Sequence, residues 1–222
     1  YHKGMNGIIQ ELKCLLKTKS IGTDSDRALL LDFQATLETK PEKAIKLEKD
    51  ALAQIETITV DNARLVSNLH ANLGGLYRMN GHPDLAREHM EKSISLLDQF
   101  NLLHINDSIP QIANYAMFLT EQQEPERGIS ELQKLSGIIK EYHSDHCLDY
   151  AKVQETLGTI YLMTANLPQA KTHFKRAFKI YEKIWTDEPE MIEAKYQEIQ
   201  ELYPQVGFFL GQQLSDFLTK QT

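Results

Sequence analysis

The chain has few residues of the two types that interrupt helices. Its 222 residues include 11 glycines and 7 prolines, fewer than the roughly 12% that these two types make up in an average protein. No stretch alternates apolar and polar residues with the period of two that marks a half-buried strand. Apolar residues make up 41% of the chain, which is enough for a continuous core. We therefore predict an all-helical protein.

Cysteine is also scarce, and long apolar segments are missing. Only Cys14 and Cys147 occur, which excludes a disulfide framework and predicts two reduced thiols. No apolar run approaches the ~18 residues of a membrane-spanning helix, and no signal peptide is evident. We therefore expect a cytoplasmic protein without a membrane partner.

Concentrated positive charge is missing as well. The 24 lysines and arginines are outnumbered by 31 aspartates and glutamates, so the net charge is −7. No stretch of the sequence collects lysines and arginines on one face, as a surface that follows a phosphate backbone would. Nucleic acid is therefore not expected as a partner.

A repeat of 42 residues runs through most of the chain. A small residue recurs with this period at Ala44, Ala86, Gly128 and Ala170. Proline stands three positions before each of the first three. Proline is favoured in the first turn of a helix, where its missing N–H would have no helical partner. Each unit is therefore predicted to be one helix, a short turn and a second, antiparallel helix that begins near the proline.

Small residues inside the first helix of each pair fit the same repeat. Gly74 and Gly158 are 84 residues apart, and Ala116 lies midway between them. A glycine inside a helix costs about 1 kcal/mol relative to alanine. We predict that these residues face the second helix and let the two backbones approach closely. Gly75 has no glycine counterpart, and we predict that it lies on the open side of the stack.

The repeat register predicts a single solenoid domain over residues 1–222. Repeats are expected over residues 25–66, 67–108, 109–150 and 151–192. Residues 1–22 would supply a helix, over residues 5–19, of a preceding or capping unit. Residues 193–222 would form a terminal repeat with a capping helix that covers the last apolar face.

The fourth unit resembles the tetratricopeptide repeat. Its "LGTIY", followed by Ala170, Phe174 and Ala177, has that family's pattern of small and aromatic residues. A unit of 42 residues instead of the usual 34, and the connector "HSDHCLDYAK", are similar to the kinesin light chain type of this repeat. The resemblance covers about residues 25–204 and implies a right-handed α-solenoid of antiparallel helix pairs.

The resemblance also implies where a partner would bind. In this family the first helices line a concave groove, and in the kinesin light chain type an asparagine two positions before the small residue bonds the backbone of an extended peptide. Asn72 and Asn114 match that position, whereas Leu30 and Thr156 depart from it. With neighbours at helical spacing, the predicted peptide-binding set is Asn68, Asn72, Arg78, Asn114, Met117, Lys152, Glu155 and Thr159. The alternative for each is a side chain that simply faces solvent.

No arrangement of residues predicts an enzyme or a metal site. The most metal-like cluster is His143, His146 and Cys147, but a structural zinc ion needs four ligands and no second ligand pair with suitable spacing occurs. Neither a phosphate-binding loop nor a nucleophile elbow is present. We therefore predict no catalytic activity, no metal and no cofactor.

The leading functional hypothesis is a non-catalytic adaptor whose groove binds a peptide or helical segment of another protein. The alternative is a regulatory or sensor module of a longer signalling protein, such as a transcription regulator or a signalling NTPase. The sequence leaves the identity of the partner and the oligomeric state open.

Overall fold

A computed structural model describes residues 22–202 and Pro204, and this part of the chain consists of helices joined by turns. Its nine helices are α1 (Asp24–Thr36), α2 (Pro41–Leu52), α3 (Ala63–Met79), α4 (Pro83–Gln99), α5 (Ser108–Glu121), α6 (Pro125–Tyr142), α7 (Leu148–Met163), α8 (Leu167–Ile184) and α9 (Pro189–Leu202). No helix in this part is both long and apolar enough to cross a membrane. The predicted all-α class is confirmed. The helix predicted over residues 5–19 and the terminal capping helix lie outside the described residues.

The helices group into two compact units that divide within α5, one ending at Tyr115 and the other beginning at Ala116. In unit 1, α1 packs on α2, α2 on α3, and α3 on α4. In unit 2, α6 packs on α7, α7 on α8, and α8 on α9. Within each unit these helices therefore pack against their neighbours in sequence, as in a solenoid of helix pairs. The predicted α-solenoid class is confirmed, and its right-handed sense stays a prediction.

The first helix of each pair begins slightly before the boundary that the repeat register predicts. Helices α3, α5 and α7 begin at Ala63, Ser108 and Leu148, whereas the expected units begin at residues 67, 109 and 151. These expected boundaries therefore fall inside helices, although the pairing of helices is unaffected. The extent of the whole solenoid, over residues 1–222, stays a prediction.

Prolines mark the start of the second helix in each pair, as predicted. Pro41, Pro83 and Pro125 are the first residues of α2, α4 and α6. Pro168 is the second residue of α8. The backbone nitrogen has no helical acceptor at these positions, so the missing N–H costs no hydrogen bond.

The turns before three of these helices share an unusual backbone conformation. Gly81, Gln123 and Ala165 occupy equivalent repeat positions, and their φ angles are 74°, 64° and 58°. Glycine adopts this left-handed region readily, whereas a side chain is strained there. The same turn is therefore made three times, and only the first copy uses the residue that suits it best.

Close approach of the paired helices explains Gly74 but not Gly75. A Cβ added to Gly74 would lie 2.6 Å from Met90 Cγ and 3.3 Å from the backbone oxygen of Ala86, both on α4. A Cβ added to Gly75 would have no such atom within 4 Å. The prediction that Gly74 faces the second helix is therefore confirmed. The prediction that Gly75 has open surroundings is confirmed as well.

Small residues have the same role in unit 2. A Cβ added to Gly128 would lie 2.6 Å from the backbone oxygen of Ala116, so α5 and α6 touch at this point. A Cβ added to Gly158 would lie 2.9 Å from the ring of Phe174, which is buried between α7 and α8. In both pairs the space of a missing side chain is filled by the partner helix.

Candidate functional site

The predicted groove residues of unit 1 surround two adjoining pockets. The smaller, of about 220 Å³, is lined by Ala71, Gly75, Arg78, Met79, Met90, Ser93, Gln111 and Asn114. The larger, of about 370 Å³, is lined by Asp32, Asn68, Ala71, Asn72, Asp107, Pro110, Gln111 and Asn114. Three residues line both pockets, and we call the two together the unit 1 groove. The structure thus brings together four of the predicted binding residues, namely Asn68, Asn72, Arg78 and Asn114.

Asn114 presents its amide to both pockets of the unit 1 groove. It lies on α5 and is exposed. Its side chain makes no hydrogen bond within residues 22–202 and Pro204. Both the donor and the acceptor of the amide are therefore available to a ligand.

Asn72 differs from Asn114, although the two occupy equivalent positions in the repeat. Asn72 Nδ2 donates to Asp32 Oδ1 at 2.9 Å and to Glu48 Oε1 at 3.2 Å. These two bonds use both hydrogens of the amide group. Only the carbonyl oxygen of Asn72 is left for a ligand, so Asn72 can accept a hydrogen bond but not donate one unless these contacts break.

Glu48 stands at a position that is apolar in the other units. Its equivalents at steps of 42 residues are buried, namely Met90, Leu132 and Phe174. Asp32 likewise stands at the position of the small residue Gly74. Glu48 is itself only 1% exposed. The first helix pair therefore carries two carboxyl groups where other pairs place a small residue against a large apolar one.

The surroundings of Glu48, including the carboxyl group of Asp32, favour its protonated form. The pKa of Glu48 is raised to about 9, chiefly by burial and then by the charge of Asp32 and a hydrogen bond with it, whereas the hydrogen bond from Asn72 acts in the opposite direction. Glu48 Oε2 is buried and has no hydrogen-bond partner within the described residues. Glu48 is therefore protonated near neutral pH.

A buried hydrogen-bond network joins α3, α4 and α5 beneath the groove. Gln111 Oε1 accepts from Ser67 Oγ at 2.8 Å and from Ser93 Oγ at 2.6 Å. Gln111 Nε2 donates to Asn68 Oδ1 at 2.5 Å, and Asn68 Nδ2 donates to Asp107 at 3.4 Å. The amide of Asn68 is therefore engaged by neighbours within the chain. Its predicted binding role stays a prediction.

Sequence reasoning missed Gln111 and Glu48, although a signal for both was present. Gln111 stands where the equivalent residues Leu69 and Val153 are buried and apolar. A polar residue that interrupts an apolar repeat position needs partners inside the fold, because burying it without them is costly. Comparing the repeats position by position would have marked both residues.

Two further predicted binding residues, Met117 and Lys152, lie in unit 2 with partial or full exposure. Met117 is half-buried on α5. Lys152 is exposed on α7, where its Nζ lies 3.8 Å from Asp149 Oδ1. Thr159, also on α7, is only 7% exposed and has little surface to offer a ligand. The binding roles of all three stay predictions.

Glu155 is engaged in contacts that join α7 to α8 and α9. It accepts a hydrogen bond of 2.7 Å from the hydroxyl of Tyr181, and its carboxylate lies 2.9 Å from Lys195 Nζ. Burial and the charge of Glu155 raise the pKa of Tyr181. Burial acts to lower the pKa of Lys195, but Glu155 holds it above its ordinary value. Glu155 therefore supports packing in unit 2, and its predicted binding role stays a prediction.

The segment with the most metal-like residues is a connector between α6 and α7. Nδ1 of His146 pairs with Asp145. The thiol of Cys147 donates to the carbonyl of Ser144 at 3.1 Å, and its sulfur accepts the N–H of Tyr150 at 3.4 Å, capping α7. Among the residues that the structure describes, no group of three or more His, Cys, Asp or Glu is arranged to hold a metal ion.

Comparison with known proteins identifies the repeat. Residues 108–183 match the family model for the tetratricopeptide repeat. No curated protein sequence matches the chain.

Several solved structures share the fold at low sequence identity. BtubC (BKLC) from P. vanneervenii is 18% identical, covers 99% of this chain and 87% of its own, and has a TM-score of 0.72. A protein described as a kinesin light chain of Podosopora anserina, with nearly identical TPR-like repeats, is 15% identical over 81% of this chain and 90% of its own, with a TM-score of 0.64. MamA is 16% identical over 83% of this chain and 94% of its own, with a TM-score of 0.58.

The family match covers residues 108–183, about a third of the chain, and identifies tetratricopeptide repeats in that part. The fold of the chain is similar to that of the kinesin light chain-like repeat protein. Tetratricopeptide repeats generally serve as protein–protein interaction modules in non-catalytic scaffolds.

Proposed function

We propose that the unit 1 groove binds an extended peptide segment of a partner protein, and that the protein acts as a non-catalytic adaptor. The observation that carries this proposal is that Asn72 and Asn114, one repeat apart, line the same pocket of about 370 Å³. Equivalent positions of successive repeats face the same side of a helix-pair stack, so one extended segment can reach both.

Hydrogen bonds to the peptide backbone would supply affinity that does not depend on the peptide's side chains. Asn114 offers an N–H donor and a carbonyl acceptor, whereas Asn72 offers its carbonyl oxygen only, because its N–H groups are bonded to Asp32 and Glu48. Each such bond contributes about 0.5–1.5 kcal/mol.

The smaller pocket would supply side-chain specificity. Met90 lies at its floor, Gly75 leaves one wall without a side chain, and Met79 is 83% exposed at its edge. Methionine side chains adapt their shape to an apolar ligand. We therefore propose that an apolar side chain of the peptide enters between Gly75 and Met90.

The test combines peptide selection with two variants that act differently. Linear peptides selected on the purified protein from a random displayed library would be titrated by fluorescence anisotropy. A Cβ at Gly75 would meet no atom of another described helix within 4 Å, so Gly75→Leu should extend into the smaller pocket, and it replaces glycine by a better helix former. It should abolish binding without lowering the melting temperature. Asn114→Ala should weaken binding by about three- to tenfold.

The matched control is Gln99→Ala, because Gln99 is exposed on α4 and lines neither pocket. This variant should bind the selected peptides as the wild type does. Equal affinity of the wild type, Gly75→Leu and Asn114→Ala would refute the groove as the binding site.

The remaining parts of the proposal come from sequence. They are a cytoplasmic location, the absence of a nucleic acid partner and the absence of catalysis. The alternative function is that of a regulatory or sensor module that packs on a catalytic or DNA-binding domain of a longer signalling protein. The sequence of the full-length gene tests it, since an adjoining helix-turn-helix or P-loop domain would support regulation.

A further inference from the structure

A third pocket lies in unit 2, against the second helices of two successive pairs. Its volume is about 440 Å³, and its floor includes the buried side chains of Tyr150 and Ile180. Four cationic side chains line it, Lys140 from α6 and Arg176, Lys179 and Lys183 from α8. We call this the basic pocket. It is carried by α6, α8 and the start of α7, and it is separate from the unit 1 groove.

The cations of the basic pocket lack counter-ions. Asp145 is the one carboxylate that lines the pocket, and it pairs with His146. Within the part of the chain that the structure describes, the ammonium groups of Lys179 and Lys183 form no ion pair or hydrogen bond, and both side chains are exposed.

The other two cations contact neutral groups only. Arg176 Nη1 donates to Gln154 Oε1 at 3.2 Å. Lys140 Nζ lies 5.2 Å from the centre of the Tyr150 ring. Neither contact neutralises a charge, so the pocket keeps an excess of positive charge.

This excess is contrary to the composition of the chain. The net charge is −7, so cations could be paired with carboxylates almost anywhere on the surface. Arg176, Lys179 and Lys183 are instead spaced by three and four residues on one face of α8, where like charges repel and destabilise the helix. Cations gathered around a concave surface attract an anionic ligand.

We propose that the basic pocket binds an acidic segment of a protein partner, a short run of aspartates and glutamates. The cations of α8 extend over about 10 Å along the helix axis, which is longer than a single anionic group. An extended chain advances about 3.3 Å per residue, so several successive acidic residues can follow this row. Ammonium groups bind carboxylates as point charges, without requiring one fixed geometry.

A peptide fits the basic pocket better than a nucleic acid does. A phosphate backbone would need a longer basic surface than this row of about 10 Å. The fold is that of a protein-interaction module, which makes a protein segment the natural occupant. This site does not depend on the groove proposed above, because it lies on other helices.

The experiment uses fluorescein-labelled hexaglutamate as the probe and hexaglutamine as the neutral comparison. Binding is measured by fluorescence anisotropy at an ionic strength of about 10 mM and again at about 150 mM. Hexaglutamate should bind with a single site and more weakly at the higher salt, whereas hexaglutamine should not bind. The double variant Lys179→Gln, Lys183→Gln should bind hexaglutamate about tenfold more weakly.

The matched control is Lys171→Gln, Lys175→Gln, which removes the same charge from the same helix at positions that do not line the pocket. It should change the affinity by less than about twofold. Equal weakening in both double variants would mean unspecific attraction and would overturn the proposal. So would the absence of hexaglutamate binding at low salt, or tighter binding of an oligouridylate than of hexaglutamate. If the double variant has a lower melting temperature than the wild type, the single variants Lys179→Gln and Lys183→Gln are titrated instead.

Discussion

Asp32 on α1 and Glu48 on α2 both accept a hydrogen bond from the same nitrogen atom, Asn72 Nδ2 on α3. A single amide thus holds two carboxyl groups from different helices next to each other. Since Glu48 is buried, its protonation links the stability of the fold to pH.

Glu48 should make the protein less stable as the pH rises. Its pKa is raised from 4.5 to about 9 in the fold, so the folded state binds the proton more tightly than the unfolded state does. The resulting stability is fully present below the unfolded pKa and is lost as the pH rises through the folded pKa. The free energy of unfolding, measured with urea at pH 5.5, 7 and 8.5, should therefore fall across this range.

The variant Glu48→Gln isolates this effect, because its side chain has the same shape but does not ionise. The free energy of unfolding of this variant should fall less between pH 5.5 and 8.5 than that of the wild type. At pH 8.5 the variant should be more stable by about 1–3 kcal/mol, the cost of a buried group without full pairing. A wild type and a variant with the same dependence on pH would show that Glu48 ionises normally in the fold.

The two groove asparagines should differ in their effect on stability. Asn72→Ala removes the donor shared by Asp32 and Glu48, and it should destabilise the fold by about 1–3 kcal/mol because Glu48 is buried. Asn114→Ala removes an exposed amide and should change the free energy of unfolding by less than about 0.5 kcal/mol. Urea denaturation of both variants checks this difference. Equal losses would mean that Asn114 also supports packing.

Two glycines of α6 should respond in opposite ways to substitution by alanine. A Cβ at Gly128 would lie 2.6 Å from the backbone oxygen of Ala116, whereas a Cβ at Gly137 would meet no such atom within 4 Å. Gly128→Ala should destabilise the fold by about 1–3 kcal/mol, because the helices must move apart. Gly137→Ala should stabilise it by up to about 1 kcal/mol through helix propensity. Thermal melts that move in the same direction would contradict the close contact of α5 and α6.

The strained turns should be improved by glycine. Gln123 and Ala165 have φ angles of 64° and 58° at the position where the first turn has Gly81. Gln123→Gly and Ala165→Gly should each raise the free energy of unfolding by about 0.5–1 kcal/mol, because glycine adopts this conformation without strain. Gly81→Ala should lower it by a similar amount. Losses of stability in both glycine variants would show that flexibility of the unfolded chain outweighs the strain.

The sequence by itself determined the features that are local and periodic. Pro83 begins α4 because a proline in the first helical turn loses no hydrogen bond, and this holds whatever lies around the helix. Gly74 lies 42 residues before Ala116, and Gly128 lies 42 residues after Ala86. Small residues that recur with the repeat in this way mark contacts between paired helices. The helical class and the pairing of helices follow from these positions.

Only the tertiary structure decided what each side chain meets. Asn72 and Asn114 are equivalent in the repeat, yet Asn72 is bound by two carboxyl groups and Asn114 makes no hydrogen bond within the described residues. Lys140 and Lys183 line one pocket although they are far apart in the chain. A repeat period specifies which positions are equivalent, but hydrogen bonds and charges depend on the neighbours that packing brings close. Those neighbours differ from one repeat to the next.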